Sequence, residues 1–134
     1  MFRHHDQLEQ IPLFAGFSRK ELEQVHHIAT ELQVKAGQVL MEEGSTSYDM
    51  VVVLEGTLEV TRGGAHVGDI SPGGIAGEIG LLCHRARNSR VTAKTDSKIL
   101  EIDGRGFHAL LEDVPQLAVK MLPIVAARAS HDHD

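Results

Sequence analysis

The sequence predicts a mainly β domain: an antiparallel β-roll or jelly-roll flanked by an N-terminal helix and C-terminal helices. Two observations carry this. Between residues 32 and 102 the chain breaks into short apolar pieces rich in Val, Ile, Leu and Thr, punctuated by Gly37, Gly44, Gly56, Gly63-Gly64 and Gly73-Gly74. Short strands at near-regular spacing with turn signals between them mark a sandwich or barrel. On either side of that region the apolar spacing changes to that of helices.

The first helix is expected over residues 18–32, with Leu22, Val25, Ile28, Ala29 and Leu32 on one face. Ser18 followed three residues later by Glu21 is a capping box that marks its start. Ahead of it, Ile11-Pro12-Leu13-Phe14 reads as an apolar lead-in packed on the domain. The expected strands are residues 32–34, 39–42, 50–54, 57–61, 66–70, 90–94 and 98–102. Thr57-Leu58-Glu59-Val60 alternates as a half-buried strand does, and Gly63-Gly64 between two such runs signals a hairpin. After Asp103, Phe107, Leu110 and Leu111 suit a short helix. A longer one begins near Pro115, a residue tolerated in a first helical turn. Leu117, Ala118, Met121, Leu122, Val125 and Ala129 form its apolar face, and Pro123 predicts a kink or an early end. Residues 11–128 are read as the domain and 129–134 as a polar, frayed tail.

With 134 residues, 42% hydrophobic and 24% charged, the chain is sized for one soluble domain with a buried core. The net charge of −6 draws it to neither duplex nucleic acid nor an anionic membrane. No apolar run is long enough for a membrane span. No secretory h-region opens the chain, and a single cysteine forms no internal disulfide. A cytoplasmic location is the expectation. An anion-binding site on so acidic a chain must be local, built from a few oriented donors.

One stretch breaks the strand rhythm: residues 72–91, from Pro72-Gly73-Gly74 through Gly77-Glu78-Ile79-Gly80-Leu81-Leu82-Cys83 to Arg85, Arg87 and Arg90. Glycines let a backbone approach a ligand closely, and the free amides of a helix start favour a negative group. An acid beside such amides and an arginine suits a small phosphorylated ligand that carries a hydroxyl. The guanidinium grips the phosphate and the carboxylate accepts from the hydroxyl.

These residues resemble the cyclic-nucleotide-binding domain family. Ala76-Gly77-Glu78-Ile79-Gly80-Leu81-Leu82, followed by Ala86-Arg87-Asn88-Ser89-Arg90-Val91, is similar to that family's phosphate-binding cassette. The segments 12–18, 35–40, 43–44 and 53–60 extend the resemblance over about residues 11–128. It implies that Arg87 binds the exocyclic phosphate oxygens and Glu78 the ribose 2′-hydroxyl. It implies further that amides of Gly77, Ile79, Gly80 and Asn88 complete the cradle, with Ser89 beside them. Met41, Val60 and Val67 fall where the family lines purine and sugar. Ala76 and Ala86 stand where the family has an aromatic residue and a proline. Asn88 can meet phosphate or a guanine amino group, and Arg90 either adds a phosphate contact or crowds the pocket.

Blander readings apply outside the resemblance. Glu78 and Arg87 could form an internal ion pair. Arg85 reads as a solvated surface charge, and Cys83 as a buried, inert thiol. The nine histidines, including His4-His5, His26-His27, His66, His84, His108, His131 and His133, show no zinc-site spacing, so no metal site is expected. No nucleophile elbow or Walker loop is present, so no enzyme is expected. The reading is a stand-alone sensor of a cyclic mononucleotide, cAMP ahead of cGMP and with no other cofactor. It acts through an unknown protein partner or as a homodimer. The alternative is a degenerate pocket on an interaction module.

Overall fold

The computed structural model describes residues 8–46 and 48–133, with side chains described as far as Arg128. A 3-10 turn at Pro12–Phe14 leads into α1 (Arg19–Ile28). Eight strands follow: β1 (Thr30–Val34), β2 (Val39–Met41), β3 (Asp49–Glu55), β4 (Leu58–Arg62), β5 (Ala65–Ile70), β6 (Ile75–Ala76), β7 (Arg90–Ala93) and β8 (Ser97–Asp103). A short helix, α2 (Glu78–Cys83), interrupts them between β6 and β7, and α3 (Gly104–Asp113) and α4 (Pro115–His133) close the chain. The strands form two four-stranded antiparallel sheets, ordered β1-β8-β3-β6 and β2-β7-β4-β5. This is the β-roll with flanking helices that the glycine-punctuated runs predict.

Local signals act where they were read. Ser18 Oγ accepts from the Glu21 amide at 3.1 Å, and the Ser18 amide donates to Glu21 Oε1 at 2.8 Å. The capping box is therefore closed at both ends. Gly63 and Gly64 join β4 to β5 with φ of 59° and 83°. A two-residue turn with both φ positive twists with its strands, and glycine enters that region without a Cβ clash.

Two apolar compartments share strand β3. Met50, Val52 and Leu54 pack with Leu100 and Ile102 against Phe14, Leu22, Val25, Phe107, Leu110, Leu117 and Met121 of the helical layer. Val51 and Val53 face the other way, with Val34, Met41, Leu58, Ile70, Val91, Ala93 and Ile99 between the sheets. Burial on both faces explains why β3 reads as a continuous apolar run rather than an alternating one.

Four expectations need correction. The first helix ends at Ile28, and Leu32 lies on edge strand β1 at 37% exposure instead of on a helix face. The strand pairing of residues 30–34 with β8 outcompetes the helical spacing there. Of the kink or early end expected at Pro123 the early end is overturned: the last helix carries Pro123 internally and continues to His133, so the backbone of residues 129–133 extends the helix instead of fraying. Leu117 and Met121 of α4 are buried, but Leu122 is 64% exposed, so the buried stripe is narrower than the apolar spacing suggests. Cys83 is exposed, at the open end of α2.

Candidate functional site

The cassette turns on Gly77. It precedes α2 with φ of 92°, in the left-handed region that favours glycine. A Cβ there would fall 2.6 Å from the Asp49 carbonyl oxygen, 2.7 Å from Met41 Cε and 2.9 Å from Arg87 Nη1. The missing side chain is what lets Arg87 approach. Arg87 Nη1 donates to the Gly77 carbonyl at 2.9 Å, and Nη2 donates to the Asp49 carbonyl at 2.6 Å and to Asp49 Oδ1 at 2.7 Å. The Arg87 backbone is pinned as well: its amide donates to the Ser45 carbonyl at 2.8 Å, and its carbonyl accepts from the Gly44 amide at 2.7 Å. A guanidinium carries five N–H donors. Here Nε–H is buried and has no hydrogen-bond partner.

Glu78, the first residue of α2, is 1% exposed. Its Oε1 accepts from Arg128 Nη1 of α4. Its Oε2 is buried without a partner. Glu78 and Arg87 are therefore both ion-paired, but not to each other: Asp49 holds the arginine and Arg128 holds the acid.

Glu78, Arg87 and Arg128 border a cavity of about 430 Å³. All ten residues singled out from the sequence line it: Met41, Val60 and Val67 from the strands, Gly77, Glu78, Ile79 and Gly80 from the start of α2, and Arg87, Asn88 and Ser89 ahead of β7. Arg62, Arg85, Asp69 and Arg128 line it too, and the sequence reading did not place them there. Arg62 Nε donates to the Asn88 carbonyl at 3.1 Å and Nη2 to Ser89 Oγ at 3.3 Å, while Ser89 Oγ donates to Asn88 Oδ1 at 3.0 Å. The segment after Arg87 is thus tied to β4. Arg90 lies outside the cavity wall and pairs with Glu42 at 2.7 Å. Asp49 and Arg128 lie far from the cassette in sequence, and no local spacing marks them. An isolated cation late in a helical run is the faint signal that Arg128 leaves.

The cavity is thus lined by residues that carry an unpartnered guanidinium N–H and an unpartnered carboxylate oxygen, by the start of a helix, and by the apolar residues Met41, Val60 and Val67. A roll of this shape, with a helix-borne acid and an arginine from the loop ahead of β7 lining one cavity, defines a class of small-ligand-binding regulatory domains. The chain belongs to the cyclic nucleotide-binding domain family, whose model matches residues 31–114. Over 107 residues, 80% of this chain and 14% of the kinase, it is 26% identical to the cGMP-dependent protein kinase egl-4 of Caenorhabditis elegans. It superposes on the catabolite activator protein of Thermus thermophilus with a TM-score of 0.81 at 22% identity, covering 91% of this chain and 60% of that one. Against the regulatory domain of Toxoplasma gondii PKA in complex with cAMP, the TM-score is 0.71 at 26% identity, covering 84% and 44%. The chain spans no more than 31% of the length of the first curated relatives it matches. Among the described residues, no helix is long and apolar enough to cross a membrane.

Proposed function

We propose that this chain binds a cyclic mononucleotide, cAMP in preference to cGMP, and serves as a non-catalytic regulatory module that signals through a partner protein or a second copy. The observation that carries the reading is a pair of buried, unpartnered polar atoms, Arg87 Nε and Glu78 Oε2, on residues lining one cavity. A cyclic phosphate supplies an acceptor for the first, and a ribose 2′-hydroxyl supplies a donor for the second. Charge-assisted hydrogen bonds of this kind contribute about 1.5–3 kcal/mol each. Ile79 and Gly80 at the helix start line the same cavity and would give their amides to the anion, and Met41, Val60 and Val67 line it where the purine and sugar would lie. The cAMP held by the Toxoplasma relative supports adenine.

Coupling runs through Glu78. Arg128 holds one of its oxygens and the ligand hydroxyl takes the other, so the nucleotide and α4 meet on one carboxylate. Ligand shifts the position of α4 by as much as its affinity differs between docked and undocked states.

A second reading has an observation of its own. Arg87 and Glu78 already have protein partners, as they would in a pocket retained only as an interaction module. Calorimetric titration with cAMP and with cGMP decides. Saturable binding that falls tenfold or more in Arg87→Ala supports the sensor. An absence of heat with both nucleotides supports the interaction module. Tighter binding of cGMP overturns the adenine preference.

A further inference from the structure

We propose that the outer face of the β4–β5 hairpin is a binding site for a divalent transition metal of the zinc type, built from Glu59, His66 and Asp69. The register explains how they meet. Glu59 pairs with Asp69, Thr61 pairs with His66, and a bulge between Val60 and Thr61 absorbs the extra residue. One ligand atom from each side chain lies within 4.8 Å of the other two. His66 Nδ1 is 2.8 Å from Glu59 Oε2 and 4.0 Å from Asp69 Oδ1. Bonds of about 2.0–2.2 Å to a tetrahedral ion put its ligand atoms roughly 3.3–3.6 Å apart, within the span these groups already bracket. No other three metal-ligating side chains converge this closely among the described residues.

The donor set selects the ion. One imidazole with two carboxylates suits zinc, cobalt or nickel better than calcium or magnesium, which take oxygen ligands alone. His66 is half exposed, which leaves room for water to complete the coordination. Lys94 opposes the ion. Its Nζ lies 3.0 Å from Asp69 Oδ2, and it neutralises one of the two carboxylates while Oδ1 faces His66. Sequence spacing hides the cluster, because its residues come together only through the pairing across Gly63-Gly64. Asp69 also borders the cavity, so an ion would tie that wall to the outer face of the sheet.

The test is calorimetric titration of the full chain with Zn²⁺ at neutral pH after chelator treatment, with Co²⁺ absorption as a second probe. The variants are His66→Ala, Lys94→Met and, as a surface control, His108→Ala. His108 lies 3.9 Å from Glu112 and has no third ligand in a triad. All three substitutions fall on exposed side chains, and melting temperatures confirm that the variants fold. The expected result is stoichiometric binding, weakened about tenfold or more by His66→Ala, tightened by Lys94→Met and unchanged by His108→Ala. Equal affinity in wild type and His66→Ala overturns the proposal, because the ion then sits on other histidines. An absence of Zn²⁺ binding up to about millimolar concentration overturns it too.

Discussion

Glu78 of α2 and Arg128 of α4 form an ion pair across 50 residues of sequence, with the acid 1% exposed and the arginine side chain 39% exposed. The pair joins the cassette to the last helix at the edge of the cavity. Removing one partner of a fully buried pair costs about 3–5 kcal/mol. With Arg128 partly in water, Arg128→Ala is expected to cost about 1–3 kcal/mol, read as a lower melting temperature. The amides of α4 should exchange hydrogen faster. Adding Glu78→Gln to that variant should restore part of the loss, since a neutral amide is easier to leave buried. Stability unchanged in Arg128→Ala would show that the pair contributes nothing.

Arg87→Lys keeps a positive charge but loses the fork. A single ammonium cannot span the Gly77 carbonyl, the Asp49 carbonyl and Asp49 Oδ1 as the guanidinium does. The variant should melt earlier and bind cyclic nucleotide tenfold or more weakly. Full binding in Arg87→Lys would mean that charge alone, not the fork, holds the phosphate.

Gly77→Ala should be far more damaging than Gly37→Ala, although both glycines have φ near 90°. The left-handed conformation alone costs an alanine about 1–2 kcal/mol. At Gly37 nothing lies within 4 Å of the added carbon, whereas at Gly77 it meets the Asp49 carbonyl oxygen at 2.6 Å. Chemical denaturation of the two variants checks this. A Gly77→Ala loss no larger than that of Gly37→Ala would show that the cassette relaxes without strain.

Glu101 on β8 sets a pH dependence. Burial holds its carboxyl above the usual value of 4.5, and neighbouring Asp49 and Asp103 add to this. The folded state therefore keeps a proton that the unfolded chain has released, so stability falls as pH rises through the window above 4.5. Glu101→Gln should flatten that part of the profile and raise the melting temperature at neutral pH. A profile unchanged in the variant would place the titration elsewhere.

The fold and the cassette were legible because their signals are local. The glycines, the capping box at Ser18 and Glu21, and the run from Gly77 to Ser89 each act within a few residues of themselves. What stayed hidden was brought in by tertiary pairing. Asp49, the partner of Arg87, stands 38 residues upstream, and Arg128, the partner of Glu78, arrives from a separate helix. β6 has only two residues, below any periodicity. Cys83 looked buried because two leucines precede it, yet of these only Leu81 is buried, while Leu82 is 38% exposed.

Strand β3 serves as a party wall. Met50, Val52 and Leu54 belong to the helical room, and Val51 and Val53 to the room between the sheets. The partition has no slack, since Val52 and Val53 are both wholly inaccessible to solvent. Protein interiors pack too densely to take up extra volume silently. A methylene added on one side of the wall must be felt on the other, so core substitutions among the helices should alter the roll's interior without touching it directly.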